Sequence, residues 1–172
     1  MDEVLLETRR FTVRRLEYNV PGQGLVRREL VAHPGAVTIL PLLDPQTVIM
    51  IRNYRFAVGA ELLELPAGTL EPPEPPAECA ARELEEETGY RAAHFERLCE
   101  FYTTPGFTNE RMHVFVATGL TPTKQRLEAT EQIRVEIVPL RDALEATTDG
   151  RIVDAKTIAS LQIYHYRFGR KQ

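Results

Sequence analysis

Three glutamates sit close together in the run Arg82-Glu83-Leu84-Glu85-Glu86-Glu87. On a helical wheel at ~100° per residue, Glu83, Glu86 and Glu87 share one face, spread over roughly 100°. Like charges at this spacing destabilise a helix by ~0.2–0.5 kcal/mol per pair. A multivalent cation would turn that repulsion into ligation. Ligands that offer only oxygen favour a hard ion, Mg²⁺ or its substitute Mn²⁺, over zinc. The bland meaning of a glutamate run is a solvated acidic helix face. The surrounding residues decide between the two.

Five residues separate Gly68 from Glu74, and seven more lie between Glu74 and Arg82-Glu83-Leu84-Glu85-Glu86-Glu87-Thr88-Gly89-Tyr90. This stretch resembles the Nudix box, GX5EX7REUXEEXGU with U apolar, at every fixed position. Tyr90 is the one loose match, since the family usually has an aliphatic residue there. The resemblance implies a Mg²⁺-dependent pyrophosphohydrolase. It also implies a Nudix fold of the α/β class: a mixed β-sheet sandwiched between helices. Glu83, Glu86 and Glu87 match the family's metal-binding glutamates. Ala67 matches a position whose backbone carbonyl often binds metal. Arg82 matches the arginine that orients the carboxylates, and it stands four residues before Glu86. Arg82 and Glu86 are therefore counted with the catalytic residues, and Glu74 is expected to steady the loop. The acidic face is expected to look toward solvent.

Residues outside the box narrow the substrate. Pro105 lies 15 residues after Tyr90, within Tyr102-Thr103-Thr104-Pro105-Gly106-Phe107-Thr108-Asn109-Glu110. Such a loop marks the ADP-ribose pyrophosphatase branch, and residues 26–37, 51–55 and 62–68 are similar to that branch too. The implied reaction is hydrolysis of ADP-ribose to AMP and ribose 5-phosphate. The alternatives are GDP-mannose, UDP-glucose, FAD or a diadenosine polyphosphate, or a domain that binds nucleotides without cleaving them. By matching position, Arg28 and Arg55 would contact phosphate or the terminal ribose, and Glu110 a sugar hydroxyl. Arginine suits forked phosphate contacts, although exposed strand arginines are common. Glu64 matches a glutamate near the metals, or is a plain strand residue. Phe11 or Tyr18 would stack on adenine or serve packing. The base that activates water is expected on the loop before Ile133. Related loops carry Glu-x-Glu there. This chain has Ala129 and Glu131, with Glu128 one step earlier, so Glu131 is the first candidate and Glu128 the second.

These groups need a scaffold. Residues 9–18 and 25–32 alternate around the turn-rich NVPGQG and read as a hairpin. A lone hairpin is marginal in water, so residues 1–35 form an extension expected to pack on something else. The resembled branch exchanges such hairpins in a homodimer, which would bring Arg28 to the partner's site. Residues 36–172 form the hydrolase domain. Ala36–Leu43, Thr47–Arg55, Leu62–Leu65, Leu98–Thr103, Met112–Thr118 and Ile133–Val138 read as strands. The apolar VIMI run marks Thr47–Arg55 as buried on both faces. Helices are expected over Ala77–Thr88, Leu140–Thr147 and Asp154–Phe168. Pro76 suits the start of the first, Gly89 its end, and Asp154 the N-cap of the last. On the first helix Ala77, Ala80, Ala81 and Leu84 are expected to form the packed face.

The composition fits a single soluble domain. Of 172 residues, 43% are hydrophobic and 27% charged, with a net charge of -4. That balance argues against general affinity for nucleic acid or an anionic membrane. No apolar run approaches the ~20 residues that span a bilayer. The two cysteines, Cys79 and Cys99, form no zinc pattern, which points to a reducing cytoplasm. The four histidines show no metal-ligand spacing. The expected partner is a small nucleoside diphosphate derivative.

Overall fold

The computed structural model describes residues 2–129 and 131–169. Met1, Thr130 and residues 170–172 lie outside the described residues, including one position of the loop before Ile133 and the last residues of the expected hydrolase domain.

The N-terminal segment is a three-stranded antiparallel sheet rather than a hairpin. Strands β1 (Asp2–Glu7), β2 (Thr12–Val20) and β3 (Gly24–Ala32) pair in sequence order. The extra strand, DEVLLE, adds to the free edge of β2 and is exposed along its whole length. Cross-strand charge pairs line this sheet, among them Arg15–Glu29 and Arg27–Glu17 at 2.9 and 2.6 Å.

The second sheet carries the site. Its strands are β4 (Ala36–Asp44), β5 (Thr47–Arg55), β6 (Ala60–Glu64), β7 (Ala67–Thr69), β9 (His94–Tyr102), β10 (Arg111–Thr118) and β12 (Ile133–Pro139). The main path runs β12-β5-β4-β10-β9, with β6 on β5 and β7 on β4. Only the β4–β10 pair is parallel among these, so the sheet is mixed. Two short strands, β8 (Tyr90–Arg91) and β11 (Thr121–Pro122), pair separately. The helices are α1 (Pro76–Thr88), α2 (Leu140–Ala146) and α3 (Ala155–Phe168).

Strand periodicity distributes the core. Along β4, Val37 and Ile39 pack in one cluster with Cys79, Ala80 and Leu84 of α1. Their neighbours Ala36, Leu40 and Leu42 pack in another with Ala143, Ala146 and Leu161 of α2 and α3. Strand β10 splits the same way, with Phe115 and Ala117 on the α1 side and Met112, Val114 and Val116 on the other. Successive residues of a strand point to opposite faces, so a sheet covered on both sides must be apolar throughout. The VIMI run is fully buried accordingly. The result is the expected three-layer α/β sandwich. No helix among the described residues is long and apolar enough to cross a membrane.

The packed face of α1 differs from the sequence expectation. Ala80 and Leu84 are buried as expected, but Ala77 and Ala81 are exposed, and Cys79, Glu87 and Thr88 are buried instead. The helix is rotated because a glutamate takes an inward position, held by the first residue of β7. Pro76 does open the helix, and Gly89 ends it at φ 71°. A side chain at Gly89 would also crowd the backbone N of Gln125, 2.9 Å from its Cβ. Asp154 caps α3 by accepting the Thr157 N–H at 3.0 Å.

Candidate active site

The loop from β7 into α1 is tied down by one guanidinium. Arg82 donates to both carboxylate oxygens of Glu74, Nε to Oε1 at 2.9 Å and Nη2 to Oε2 at 3.0 Å. Its Nη1 reaches Glu83 Oε1 at 2.7 Å and Glu86 Oε2 at 3.2 Å. Forked, charge-assisted bonds of this kind fix orientation as well as supply energy. Glu74 Oε2 also accepts the Glu71 N–H at 3.4 Å, so it steadies the loop as expected.

Glu87 is turned inward. It is 3% exposed, and its Oε2 accepts the Ala67 N–H at 2.9 Å. The acidic face is therefore not uniformly solvent-facing: Glu83 and Glu86 are half-buried and Glu87 is buried. Burial pushes the Glu87 carboxyl up to about 8, with the charges of Glu83 and Glu131 adding to it. Burial also pushes Glu83 up, against the nearby Arg82, with Glu86 and Glu131 contributing. Gly68 makes room for this arrangement, since a Cβ there would overlap the Glu83 carboxylate.

These groups line a polar cleft of about 170 Å³ with Ala67, Gly68, Asn53, Arg55, Glu128 and Glu131. The loop carrying Glu131 is stitched to the end of α1. Thr123 N donates to Gly89 O at 2.7 Å, Gln125 Nε2 to Glu87 O at 2.7 Å, and Arg126 N to Glu86 O at 2.9 Å. Further along, Glu131 Oε2 accepts the Glu128 N–H at 2.8 Å. Glu128 itself faces Arg9 at 3.7 Å. The charge of Glu131 acts on both Glu83 and Glu87.

A second cavity of about 420 Å³ shares Arg55, Ala67, Gly68 and Thr69 with the cleft, and adds Glu64, Thr103, Thr104, Glu110, Asp154 and Lys156. Glu110 accepts from Thr103 Oγ1 at 2.5 Å. The loop that bears it is anchored to β3, where Val31 N donates to Phe107 O at 2.8 Å and His33 N to Asn109 Oδ1 at 2.8 Å. Glu64 is fully buried and receives a fork from Arg55, at 2.9 and 2.6 Å. It is thus part of the site's frame. A larger cavity of about 570 Å³ lies beside α2 and the end of α3. It contains none of these groups, so chemistry and not size selects the cleft.

The donor set fits a hard divalent cation: all oxygen, on buried or half-buried carboxylates whose mutual repulsion a cation would relieve. The side chains are held by Arg82 and Ala67 rather than drawn to one point. Among the described residues no three His, Cys, Asp or Glu groups already converge as a metal cage.

Two expected substrate contacts stand apart. Arg28 is exposed on β3, where it donates to the Arg27 carbonyl at 2.9 Å, and it does not line its own chain's cleft. Phe11, in the β1–β2 turn, and Tyr18, on β2, are exposed and line neither cavity. Sequence reasoning missed Arg9, Arg10, Asn53, Arg126 and Lys156. Arg9 and Arg10 lie in the β1–β2 turn, which the sequence had blended into one strand. Lys156 reaches Glu64 across 92 positions, a contact no local pattern encodes.

Comparison with known proteins agrees with this geometry. The chain is 40% identical to the ADP-ribose pyrophosphatase of Bacillus subtilis (strain 168) over 148 residues, 85% of this chain and 80% of that protein. It is 36% identical to the GDP-mannose pyrophosphatase of Citrobacter koseri over 142 residues, 76% of this chain and 73% of that protein. A solved structure, the crystal structure of an ADP compounds hydrolase, superimposes with a TM-score of 0.83 at 25% identity, covering 99% of this chain and 93% of that one. The NUDIX domain model matches residues 32–161, which span both cavities' main walls, and the chain belongs to the NUDIX family of hydrolases.

Proposed function

We propose that the protein hydrolyses the pyrophosphate bond of ADP-ribose, giving AMP and ribose 5-phosphate, with Mg²⁺ as its metal. The observation that carries this reading is the junction of the two cavities. An acidic cleft that can hold cations shares a wall, Arg55 and Ala67–Thr69, with a second cavity lined by Thr103, Thr104 and Glu110. A dinucleotide-like diphosphate needs both halves: a cation site for the charged bridge and hydrogen-bond acceptors for a sugar.

Glu83, Glu86, Glu87 and the Ala67 carbonyl would hold the metal. When bound, Mg²⁺ offsets diphosphate charge and makes water a better nucleophile. Arg82 fixes the helix carboxylates in place. Arg55 faces the diphosphate with the donors that Glu64 leaves free, and Glu110 accepts from a sugar hydroxyl. Glu131 takes the proton of the attacking water. The water oxygen bonds to one phosphorus, and the bridging P–O bond breaks toward the other phosphate, which leaves with the electron pair. Two copies of the chain complete the site, with Arg28 supplied by the partner.

The test is a substrate panel with Mg²⁺, scored by kcat/KM, the ratio that measures discrimination. ADP-ribose is expected to exceed GDP-mannose, UDP-glucose, FAD and diadenosine polyphosphates. A clearly larger value for any of these overturns the assignment.

A further inference from the structure

Glu64 is a fully buried carboxylate with three cationic N–H donors on it. Arg55 supplies Nε to Oε1 at 2.9 Å and Nη2 to Oε2 at 2.6 Å, and Lys156 supplies Nζ to Oε2 at 2.5 Å. Lys156 is itself nearly buried, its side chain 11% exposed, and it pairs with Asp154 at 2.9 Å. Asp154 is also the α3 cap, bonded to Thr157 N at 3.0 Å and Thr157 Oγ1 at 2.6 Å. Thr157 Oγ1 in turn accepts the Leu65 N–H at 2.9 Å. The start of α3 is thus docked onto the residue after Glu64 by one bond and onto Glu64 itself by another.

An isolated buried carboxylate is costly, and the Arg55 fork orients the guanidinium relative to that carboxylate, so whatever holds the carboxylate also sets the guanidinium. Here the second cation and its own counter-charge, Asp154, close a network of alternating sign. Such a network holds each member harder than a pair would. All four members line the second cavity, and Arg55, whose side chain is 38% exposed, is the one that also lines the acidic cleft. A guanidinium has five N–H donors and spends two on Glu64, so three remain for a ligand.

We propose that Lys156 is a positioning residue for diphosphate binding: from α3 it fixes Glu64, and through Glu64 it aims the Arg55 guanidinium into the shared wall of the two cavities. The proposal rests on the reading of this site as a diphosphate site. Lys156 touches no substrate in this account, and its effect passes through Arg55.

That route makes the test specific. Lys156→Met, with Lys156→Gln as the milder variant should the first fold poorly, is compared in wild-type and Arg55→Ala backgrounds. The readouts are KM and kcat for ADP-ribose, and the Kd for ADP with Mg²⁺ by calorimetry. In the wild-type background, KM and the ADP Kd are expected to rise about ten- to a hundredfold, the size of one charge-assisted hydrogen bond, while kcat stays within about threefold. In the Arg55→Ala background the same change is expected to add less than about twofold, because coupled residues are not additive. An equal loss in both backgrounds would mean that Lys156 contacts the ligand directly or acts elsewhere, and overturns the proposal. So does a lower melting temperature with unchanged KM and Kd, the signature of a structural role. Absence of ADP-ribose turnover in the wild type sinks the proposed function instead, and the ADP Kd cycle then decides on Lys156 alone.

Discussion

Arg82 and Glu74 form a forked pair, at 2.9 and 3.0 Å, that closes the loop between β7 and α1 onto the helix. The remaining nitrogen of Arg82 holds Glu83 and Glu86. One planar group thereby serves three carboxylates, which a lysine ammonium cannot do with the same geometry. Arg82→Lys is expected to raise the Mg²⁺ concentration for half-maximal activity and to lower kcat by about 10- to 100-fold, as loss of one to two charge-assisted bonds requires. Steady-state rates across a Mg²⁺ titration check this. Wild-type values for both quantities contradict it.

Gly68 is small because Glu83 occupies the space its Cβ would need. The obstructing group is the end of a flexible side chain, so Gly68→Ala is expected to fold and to displace the Glu83 carboxylate. Melting temperature should change by a few degrees, about the effect of ~1 kcal/mol in a chain this size. Activity should fall by at least about tenfold. A variant with wild-type turnover would show that Glu83 is not needed in its present position.

Glu87 gives a pH signature. Its carboxyl is pushed up to about 8 from the ordinary 4.5, mainly by burial. A folded value above the unfolded one favours the fold while the group is protonated. That contribution is full below about 4.5 and is lost as pH rises through about 8. In EDTA, the wild-type melting temperature is therefore expected to fall between pH 6 and pH 9 more steeply than that of Glu87→Gln. Mg²⁺ should reverse the extra fall by binding the folded carboxylate. Parallel slopes for the two proteins in EDTA would remove the argument.

The N-terminal sheet leaves Val4, Leu5 and Leu6 exposed at 57%, 39% and 53%, and Arg28 does not reach its own cleft. The two-fold homodimer proposed above would cover the first and give the second a partner's cleft to reach. Light scattering is expected to give twice the 19.6 kDa chain mass. Arg28→Ala mixed and refolded with Glu131→Gln should regain about a quarter of wild-type activity, since half of random pairs carry one intact site in two. A 19.6 kDa species, or no recovery on mixing, contradicts the arrangement.

The box was legible because its chemistry is local. Helix periodicity, a loop of fixed length and capping residues place Arg82, Glu83 and Glu86 without knowledge of the rest of the chain. The central strands were legible for the same reason: VIMI declares burial on both faces. Glu87 was misjudged because its inward turn depends on the Ala67 N–H, twenty residues away and on another element. The exposed face of α1 was misjudged with it. β1 was missed because an edge strand needs little apolar signal when its partner β2 supplies the ladder. Lys156 and Gln125 were invisible, since each acts by reaching a backbone or side chain far along the sequence.

Carboxylates occupied by metal are poor bases, which turns attention to the loop before β12. Gln125 and Arg126 bond that loop to the carbonyls of Glu87 and Glu86, so its position is set by the same helix that carries the proposed metal donors. Glu128 and Glu131 both line the cleft. Glu128 faces Arg9, whereas the charge of Glu131 acts on Glu83 and Glu87. That influence on two proposed metal donors makes Glu131 the first candidate for the proton acceptor. Its Oε2 already accepts the Glu128 N–H, which orients the carboxylate and leaves Oε1 for the proton. A positioned general base contributes typically ~10²–10⁴-fold. Glu131→Gln is therefore expected to lower kcat by about that factor, with KM and the half-saturating Mg²⁺ concentration within about threefold of wild type. Glu128→Gln, which releases Arg9 but removes no base, is expected to change kcat by less than about tenfold. A small effect of the first with a large effect of the second moves the role to Glu128. Small effects of both return proton transfer to the box carboxylates or to solvent.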